Sequence, residues 1–138
     1  MSKLNGLRVL IVEDEALIAM MAEDMVDSLG CVVAGLAASV KDAQQALDQV
    51  IFDVAILDVN LNGSNSMGLA ATLKQRRTPF AFTTGYGAHG IDSVHHDMPV
   101  LTKPYSIADL EMALLQCADR CQVAGTSSTT SMTDSNRG

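Results

Sequence analysis

Five side chains far apart in the sequence bear groups suited to phosphoryl chemistry, and each stands at the end of a short apolar run. Glu13 and Asp14 follow residues 7–12, Asp58 follows residues 53–57, Thr84 ends residues 79–84, and Lys103 follows residues 99–102. Each alone is ordinary. An acid after a strand is commonly a cap or turn former, a threonine in a strand reflects β-propensity, and Lys-Pro is a commonplace dipeptide. The combination is less ordinary. Three carboxylates gathered within about 5 Å repel by roughly 3 kcal/mol per pair at an effective dielectric of 20, so such a cluster calls for a cation. Oxygen-only donors favour Mg²⁺, which keeps several waters and often also binds phosphate oxygens. Two carboxylates can hold the metal while the third, Asp58, attacks phosphorus as a nucleophile. Phosphoryl transfer asks a protein mainly to position groups and neutralise charge on the equatorial oxygens. The Lys103 ammonium and the Thr84 hydroxyl can each meet one of those oxygens, and Gly85 leaves room for an incoming donor.

These groups can meet only if the chain brings the ends of several strands to one rim. Leu7–Val12 is short, β-branched and almost wholly apolar, which predicts a buried strand. A helix follows from Glu15 to about Leu29, with Leu17, Met20, Met21, Met25 and Leu29 at helical spacing and Gly30 as its stop. Cys31–Ala37 reads as a second strand, weakened by Gly35, and Ser39 or Val40 opens a helix through Ala43, Ala46, Leu47 and Val50. Asp53–Leu57 is a third strand. The stretch Asn60, Asn62, Gly63, Ser64, Asn65, Ser66 reads as a loop dense in turn formers, and Met67–Arg76 as a helix. Pro79–Thr84 is a fourth strand. Residues 85–98 carry three glycines, so any helix there is short and marginal. Pro99–Thr102 is a fifth strand, and Ile107, Leu110, Ala113, Leu114 and Ala118 mark a last amphipathic helix. One domain over residues 1–122 is expected, with 123–138 as a disordered tail without apolar period.

Strands alternating with helices predict an α/β fold: a three-layer, doubly wound (βα)5 five-stranded parallel sheet, covered on both faces, with a weak or short fourth helix. Such sheets place their sites at the carboxyl ends of the strands, where Glu13, Asp14, Asp58, Thr84 and Lys103 all fall.

Composition narrows the partners. Nine basic against sixteen acidic side chains leave a formal charge of -7 over 138 residues, and the longest basic cluster is Lys74, Arg76 and Arg77. Such a surface repels nucleic acid. The hydrophobic fraction of 48% suffices for a core, but with 4% aromatics and no Trp that core rests on Val, Ile, Leu, Met and Ala. No apolar run approaches the roughly 20 residues of a membrane span, and the first residues lack a signal-peptide core. Cys31, Cys117 and Cys121 form no paired framework and have no His at ligand spacing, so free thiols in a cytoplasmic protein are expected.

On Glu13-Asp14, Asp58 within Ile-Leu-Asp-Val-Asn-Leu, Thr84-Gly85 and Lys103-Pro104, the sequence resembles the response-regulator receiver family across roughly residues 5–122. The resemblance implies a flavodoxin-like fold, Asp58 as phosphoacceptor, and Glu13 and Asp14 serving a Mg²⁺ site. It implies Asn60 as the position lending a backbone carbonyl to the metal, Thr84 and Lys103 as phosphoryl-binding groups, and a cis peptide at Lys103-Pro104. The expected partners are a sensor histidine kinase or phosphotransfer protein and a downstream protein. The domain would act as a monomer in two-component signalling, an acceptor that assists its own phosphoryl transfer and hydrolysis rather than an enzyme. It would signal by changing shape or serve as a phosphate shuttle or sink.

The family usually places Tyr or Phe three residues before the lysine; here Val100 occupies that position and the aromatic switch is missing. Pro79-Phe80-Ala81-Phe82-Thr83-Thr84-Gly85-Tyr86 instead resembles the Pro-Phe-x-Phe-Ala-Thr-Gly-Tyr signature of receivers associated with HWE-type histidine kinases, with Thr83 in place of alanine. Tyr86, Phe80 or Phe82 is then a candidate for the coupling role, against plain core packing for the two phenylalanines. His89, His95 and His96 read as exposed loop residues. The methionines read as core filler, Glu23, Asp24 and Asp27 as a solvated face, and Tyr105 as packing at the start of the last helix.

Three other functions are weighed. A pseudo-receiver used only for docking would fit a chain lacking its acceptor or lysine, and this chain has both. An Asp-nucleophile phosphatase of the haloacid-dehalogenase kind wants an acid two residues after the nucleophile, where Asn60 stands. A flavin module needs a phosphate-cradling loop where Glu13-Asp14-Glu15 would repel phosphate.

Overall fold

A computed structural model describes residues 3–85 and 90–129, with side chains through residue 121. In chain order the elements are β1 (Arg8–Val12), α1 (Ala16–Ser28), β2 (Val32–Ala37), α2 (Val40–Gln49), β3 (Val54–Asp58), β4 (Asn60–Leu61) and β5 (Ser64–Asn65). Then come α3 (Met67–Gln75), β6 (Phe80–Thr84), a 3₁₀ turn at Ser93–His95, β7 (Val100–Thr102) and α4 (Ile107–Thr129). The main sheet has the order β2-β1-β3-β6-β7, with every pairing parallel. This is the expected doubly wound, flavodoxin-like arrangement.

Alternation along the strands splits the core in two. Leu10, Val12, Ala55, Leu57, Phe80 and Phe82 face α2 and α3, meeting Ala43, Leu47, Leu69, Ala70 and Leu73. Val9, Ile11, Val54, Ile56, Ala81 and Leu101 face α1 and α4, meeting Ala22, Val26, Leu110, Ala113, Leu114 and Cys117. The central strands β3 and β6 are buried along their whole length. That double burial is why they read as unbroken apolar runs.

Local signals place the helices. Ser39 caps α2, its Oγ accepting from the Asp42 N–H at 3.0 Å, a contact worth about 1 kcal/mol. Gly30 follows α1 with φ +83°, the left-handed conformation that ends a helix. At β2 the register with β1 shifts between Val9 and Leu10, and Leu10 then pairs with Gly35.

Three expectations are corrected. The α1 stripe is not the one the large residues drew: Ala22 and Val26 are buried, while Leu17 is 69% exposed and Met20 and Met21 are also exposed. Ala22 and Val26 face the sheet, Met25 and Leu29 pack at the edge of that core, and Leu17, Met20 and Met21 are left outside. The segment of residues 60–66 is not a plain loop, because β4 and β5 pair antiparallel as a hairpin. The Asn62-Gly63 turn has both residues at positive φ, as a two-residue hairpin requires. The weak fourth helix expected is, among the described residues, the single 3₁₀ turn at Ser93–His95, in keeping with that expectation. Finally, α4 continues to Thr129 rather than ending near Gln122. Once nucleated, a helix extends at one hydrogen bond per residue fixed, without needing an apolar period. The rest of the expected tail lies outside the described residues.

Candidate functional site

Every main-sheet strand points its carboxyl end to the same rim, and four of them deliver the predicted groups there. Glu13 and Asp14 follow β1, Asp58 ends β3, Thr84 ends β6 and Lys103 follows β7. Asp14, Asp58, Asn60, Thr84, Gly85 and Lys103 line one cleft of about 560 Å³. Gly85 lies on its exposed edge, where a Cβ would meet no atom within 4 Å.

Asp58 is 4% exposed and Glu13 6% exposed. Lys103 Nζ donates to Asp58 Oδ2 at 2.7 Å and lies 3.0 Å from Glu13 Oε1, with the more exposed Glu15 carboxylate at 3.5 Å. One oxygen from each of Glu13, Asp14 and Asp58 can be chosen so that all lie within 4.8 Å of one another. The lysine answers part of this negative charge. Three carboxylates against one ammonium leave the rim with an oxygen donor set suited to a hard divalent cation.

Burial pushes the Glu13 carboxyl up to about 7, with Asp58 adding to the shift and the hydrogen bond from Lys103 opposing it. For Lys103, burial works against the charge, but hydrogen bonds to Asp58 and Glu13 outweigh it and hold the ammonium above the usual lysine range. The ammonium therefore stays charged at neutral pH.

The β4–β5 hairpin frames the other side of the cleft. Asp14 Oδ2 accepts from the Asn62 N–H at 3.0 Å, Asp58 Oδ1 accepts from the Asn60 N–H at 3.2 Å, and Asn60 Oδ1 accepts from the Gly63 N–H at 2.8 Å. Asn60 thus lies in the cleft wall beside the acids, where a carbonyl ligand was expected. The Asn-Gly pair was the signal that could have revealed this hairpin.

One residue was missed outright. Ser66 is fully buried, and its Oγ donates to the Asp58 carbonyl at 2.6 Å and lies 3.1 Å from the Val59 carbonyl. It pins the peptide that carries Asp58. Nothing in its sequence context sets it apart from the turn formers around it.

Other expectations meet mixed outcomes. The Lys103-Pro104 peptide is cis. Phe80 and Phe82 are wholly buried, in edge-to-face contact at 5.2 Å between ring centroids. Tyr105 packs against the α1/α4 core, and Val100 is exposed on β7 with no ring to move. The three cysteines are free. His95 overturns its reading as an exposed residue: it is 2% exposed, its ring 5.9 Å from Phe80 and 6.0 Å from Phe82. The 3₁₀ turn folds it inward against these two rings. His96 stays exposed, whereas Tyr86 and His89 lie outside the described residues. Among the described residues, no helix is long and apolar enough to cross a membrane.

Comparison with known proteins follows the same line. A family model described as the response regulator receiver domain matches residues 9–115. The transcriptional regulatory protein PdtaR of Mycobacterium tuberculosis is 31% identical over 111 residues, covering 78% of this chain and 54% of PdtaR. The chain thus spans about half the length of the curated relatives it matches. Among solved structures, SdrG from Sphingomonas melonis Fr1 is 41% identical with a TM-score of 0.72, over 83% of this chain and 97% of that one. SdrG from Pseudomonas melonis Fr1 in its BeF3-activated conformation is 41% identical with a TM-score of 0.69, over 83% and 97%. The REC domain of the PhyR response regulator from Erythrobacter litoralis is 30% identical with a TM-score of 0.73, over 84% and 92%.

Proposed function

Since the chain belongs to the response regulator receiver domain family, we propose that Asp58 accepts a phosphoryl group from a sensor histidine kinase or phosphotransfer protein. The observation that carries this reading is the buried Asp58 carboxylate, 2.7 Å from Lys103 Nζ and within one ion's reach of Glu13 and Asp14. A carboxylate oxygen of Asp58 forms the new bond to phosphorus as the donor's bond to phosphorus breaks, and the electron pair leaves with the donor. Mg²⁺, held by Glu13, Asp14, Asp58 and the Asn60 carbonyl, would supply charge neutralisation at the phosphoryl oxygens. Lys103 passes its ammonium from Asp58 to a phosphoryl oxygen, and Thr84 at the end of β6 donates its hydroxyl to another. The chain assists its own phosphorylation and hydrolysis without being an enzyme acting on a separate substrate.

The output is a change of shape read by a downstream protein, or passage of the phosphoryl group onward. Val100 leaves no aromatic ring on β7 to carry it, so the coupling falls to the Phe80–Phe82 pair or Tyr86. The Pro79–Tyr86 motif supports an HWE-type kinase as donor. The acidic balance of -7 supports protein partners over nucleic acid, and we place the domain in the cytoplasm as a monomer. A BeF3-activated conformation of SdrG, a relative 41% identical, supports a phosphoryl-type trigger at this rim.

Incubation with Mg²⁺ and acetyl phosphate, followed by intact mass, tests the reading. The parent chain should gain one phosphoryl group and Asp58→Ala none. No gain in the parent would instead leave the domain as a docking module.

A further inference from the structure

In the sheet, β6 lies between β3 and β7, so a side chain rooted after β7 must cross β6 to touch Asp58. Thr83 is the β6 residue at the level of Asp58. It stands in register with Asp58 on one side and Leu101 on the other. Val54 and Ile56, Ala81, and Leu101 all enter the α1/α4 core. The period of two along each strand therefore turns Asp58, Thr83 and Lys103 to that same face. From that face the Lys103 side chain reaches across β6 to put Nζ 2.7 Å from Asp58 Oδ2.

The Thr83 side chain is 1% exposed, and its Oγ1 has no hydrogen-bond partner. A hydroxyl buried in that way is costly, whereas an apolar group of the same shape would carry no such cost. The receiver signature matched by residues 79–86 has alanine here, so a hydroxyl is not demanded by the strand. Its neighbour is the reacting carboxylate.

We infer that Thr83 is a further donor to Asp58, engaged once Lys103 turns to the phosphoryl group; this rests on Asp58 being the phosphoacceptor. In the unmodified chain both Asp58 oxygens are served, Oδ2 by Lys103 and Oδ1 by the Asn60 N–H. After phosphorylation Oδ2, the oxygen the lysine leaves, bridges to phosphorus, while Oδ1 keeps the Asn60 N–H and faces the metal site. The departing lysine leaves the bridging oxygen without its donor, and the Thr83 hydroxyl rotates to it. In hydrolysis water attacks phosphorus and the bond between phosphorus and Asp58 breaks, its electron pair returning to the carboxylate. The water oxygen and both its protons end on inorganic phosphate. Negative charge grows on Asp58 along this path, so the Thr83 hydrogen bond strengthens towards the transition state and speeds the loss of phosphate.

The test uses the full chain loaded with acetyl phosphate and Mg²⁺, freed of donor, and followed by intact mass. Thr83→Val keeps the shape without the hydroxyl and should lengthen the acyl-phosphate half-life roughly three- to tenfold. Its thermal midpoint should equal or exceed the parent's, which a loss of packing would not allow. Thr83→Ser should restore a half-life close to the parent's. If Thr83→Val fails to fold, Thr83→Ala takes its place with the same lengthening expected. A parent-like half-life in the valine or alanine variant overturns the inference, as does a serine variant that behaves like valine. Absence of any phosphoryl uptake by the parent is a separate result, which overturns the acceptor reading and this inference with it.

Discussion

The hydroxyl of Ser66 donates to the main-chain carbonyl of Asp58 at 2.6 Å, tying the start of α3 to the end of β3. Asp58 is thus held from two sides, by Lys103 at its carboxylate and by Ser66 at its own peptide. Ser66→Ala should cost about 1–3 kcal/mol of stability, because a buried carbonyl loses its donor. It should also slow phosphoryl uptake from acetyl phosphate. Urea unfolding and time-resolved intact mass check the two effects, and an unchanged uptake rate would reduce Ser66 to a stabilising contact.

Lys103 stands between two buried acids, its own side chain 12% exposed. Lys103→Met removes the cation and keeps the stem, leaving Glu13 and Asp58 facing each other. The variant should lose on the order of 3 kcal/mol in metal-free buffer, as expected when a buried ion pair loses one partner. Added Mg²⁺ should return more stability to the variant than to the parent, since a ligand stabilises the state it binds. Equal Mg²⁺ effects on the two proteins would count against a shared site for lysine and metal.

Glu13 sets a pH dependence. Its carboxyl is raised by burial from 4.5 to about 7 in the fold, so between these values the folded chain binds more protons than the unfolded one. Stability of the metal-free protein should therefore be fuller below pH 4.5 as far as Glu13 is concerned, and fall as pH rises towards 7, by on the order of 2 kcal/mol. Glu13→Gln should flatten that part of the curve. Urea midpoints in EDTA between pH 5 and 8 give the measurement, and a flat parent curve would remove the claim.

His95 fills core space against Phe80 and Phe82, with no partner for its Nδ1. His95→Ala should cost about 2–4 kcal/mol through the cavity it opens. His95→Leu, which fills much of the space without an unsatisfied nitrogen, should retain the parent's stability or exceed it. Thermal and urea unfolding of the pair would tell a packing residue from one kept for a polar contact.

Much of this protein is legible in its sequence. Runs such as Val54–Leu57 and Phe80–Phe82 are apolar without break because both faces of those strands are covered, and that pattern survives translation into sequence. Local punctuation was legible too, in Ser39 opening α2 and Gly30 closing α1. Where the reading failed, the deciding energy was not local. Met20 and Met21 have the spacing of a buried stripe, yet Ala22 and Val26 take the inner face against the sheet. His95 has neighbours that read as loop, and only the rings of Phe80 and Phe82, distant in sequence, draw it inside.

The amino-acid order by itself determined which chemical groups sit at strand ends, and so the kind of chemistry open to the rim, because strand formation and its termination are encoded within a few neighbouring residues. Tertiary structure alone decided what those groups do to one another. The approach of Lys103 to Glu13 over a separation of 90 residues, its reach across β6 to Asp58 and the clasp of Ser66 on Asp58 all depend on how strands order in the sheet. That order is settled by burial summed over the whole core, a quantity no short stretch of sequence contains.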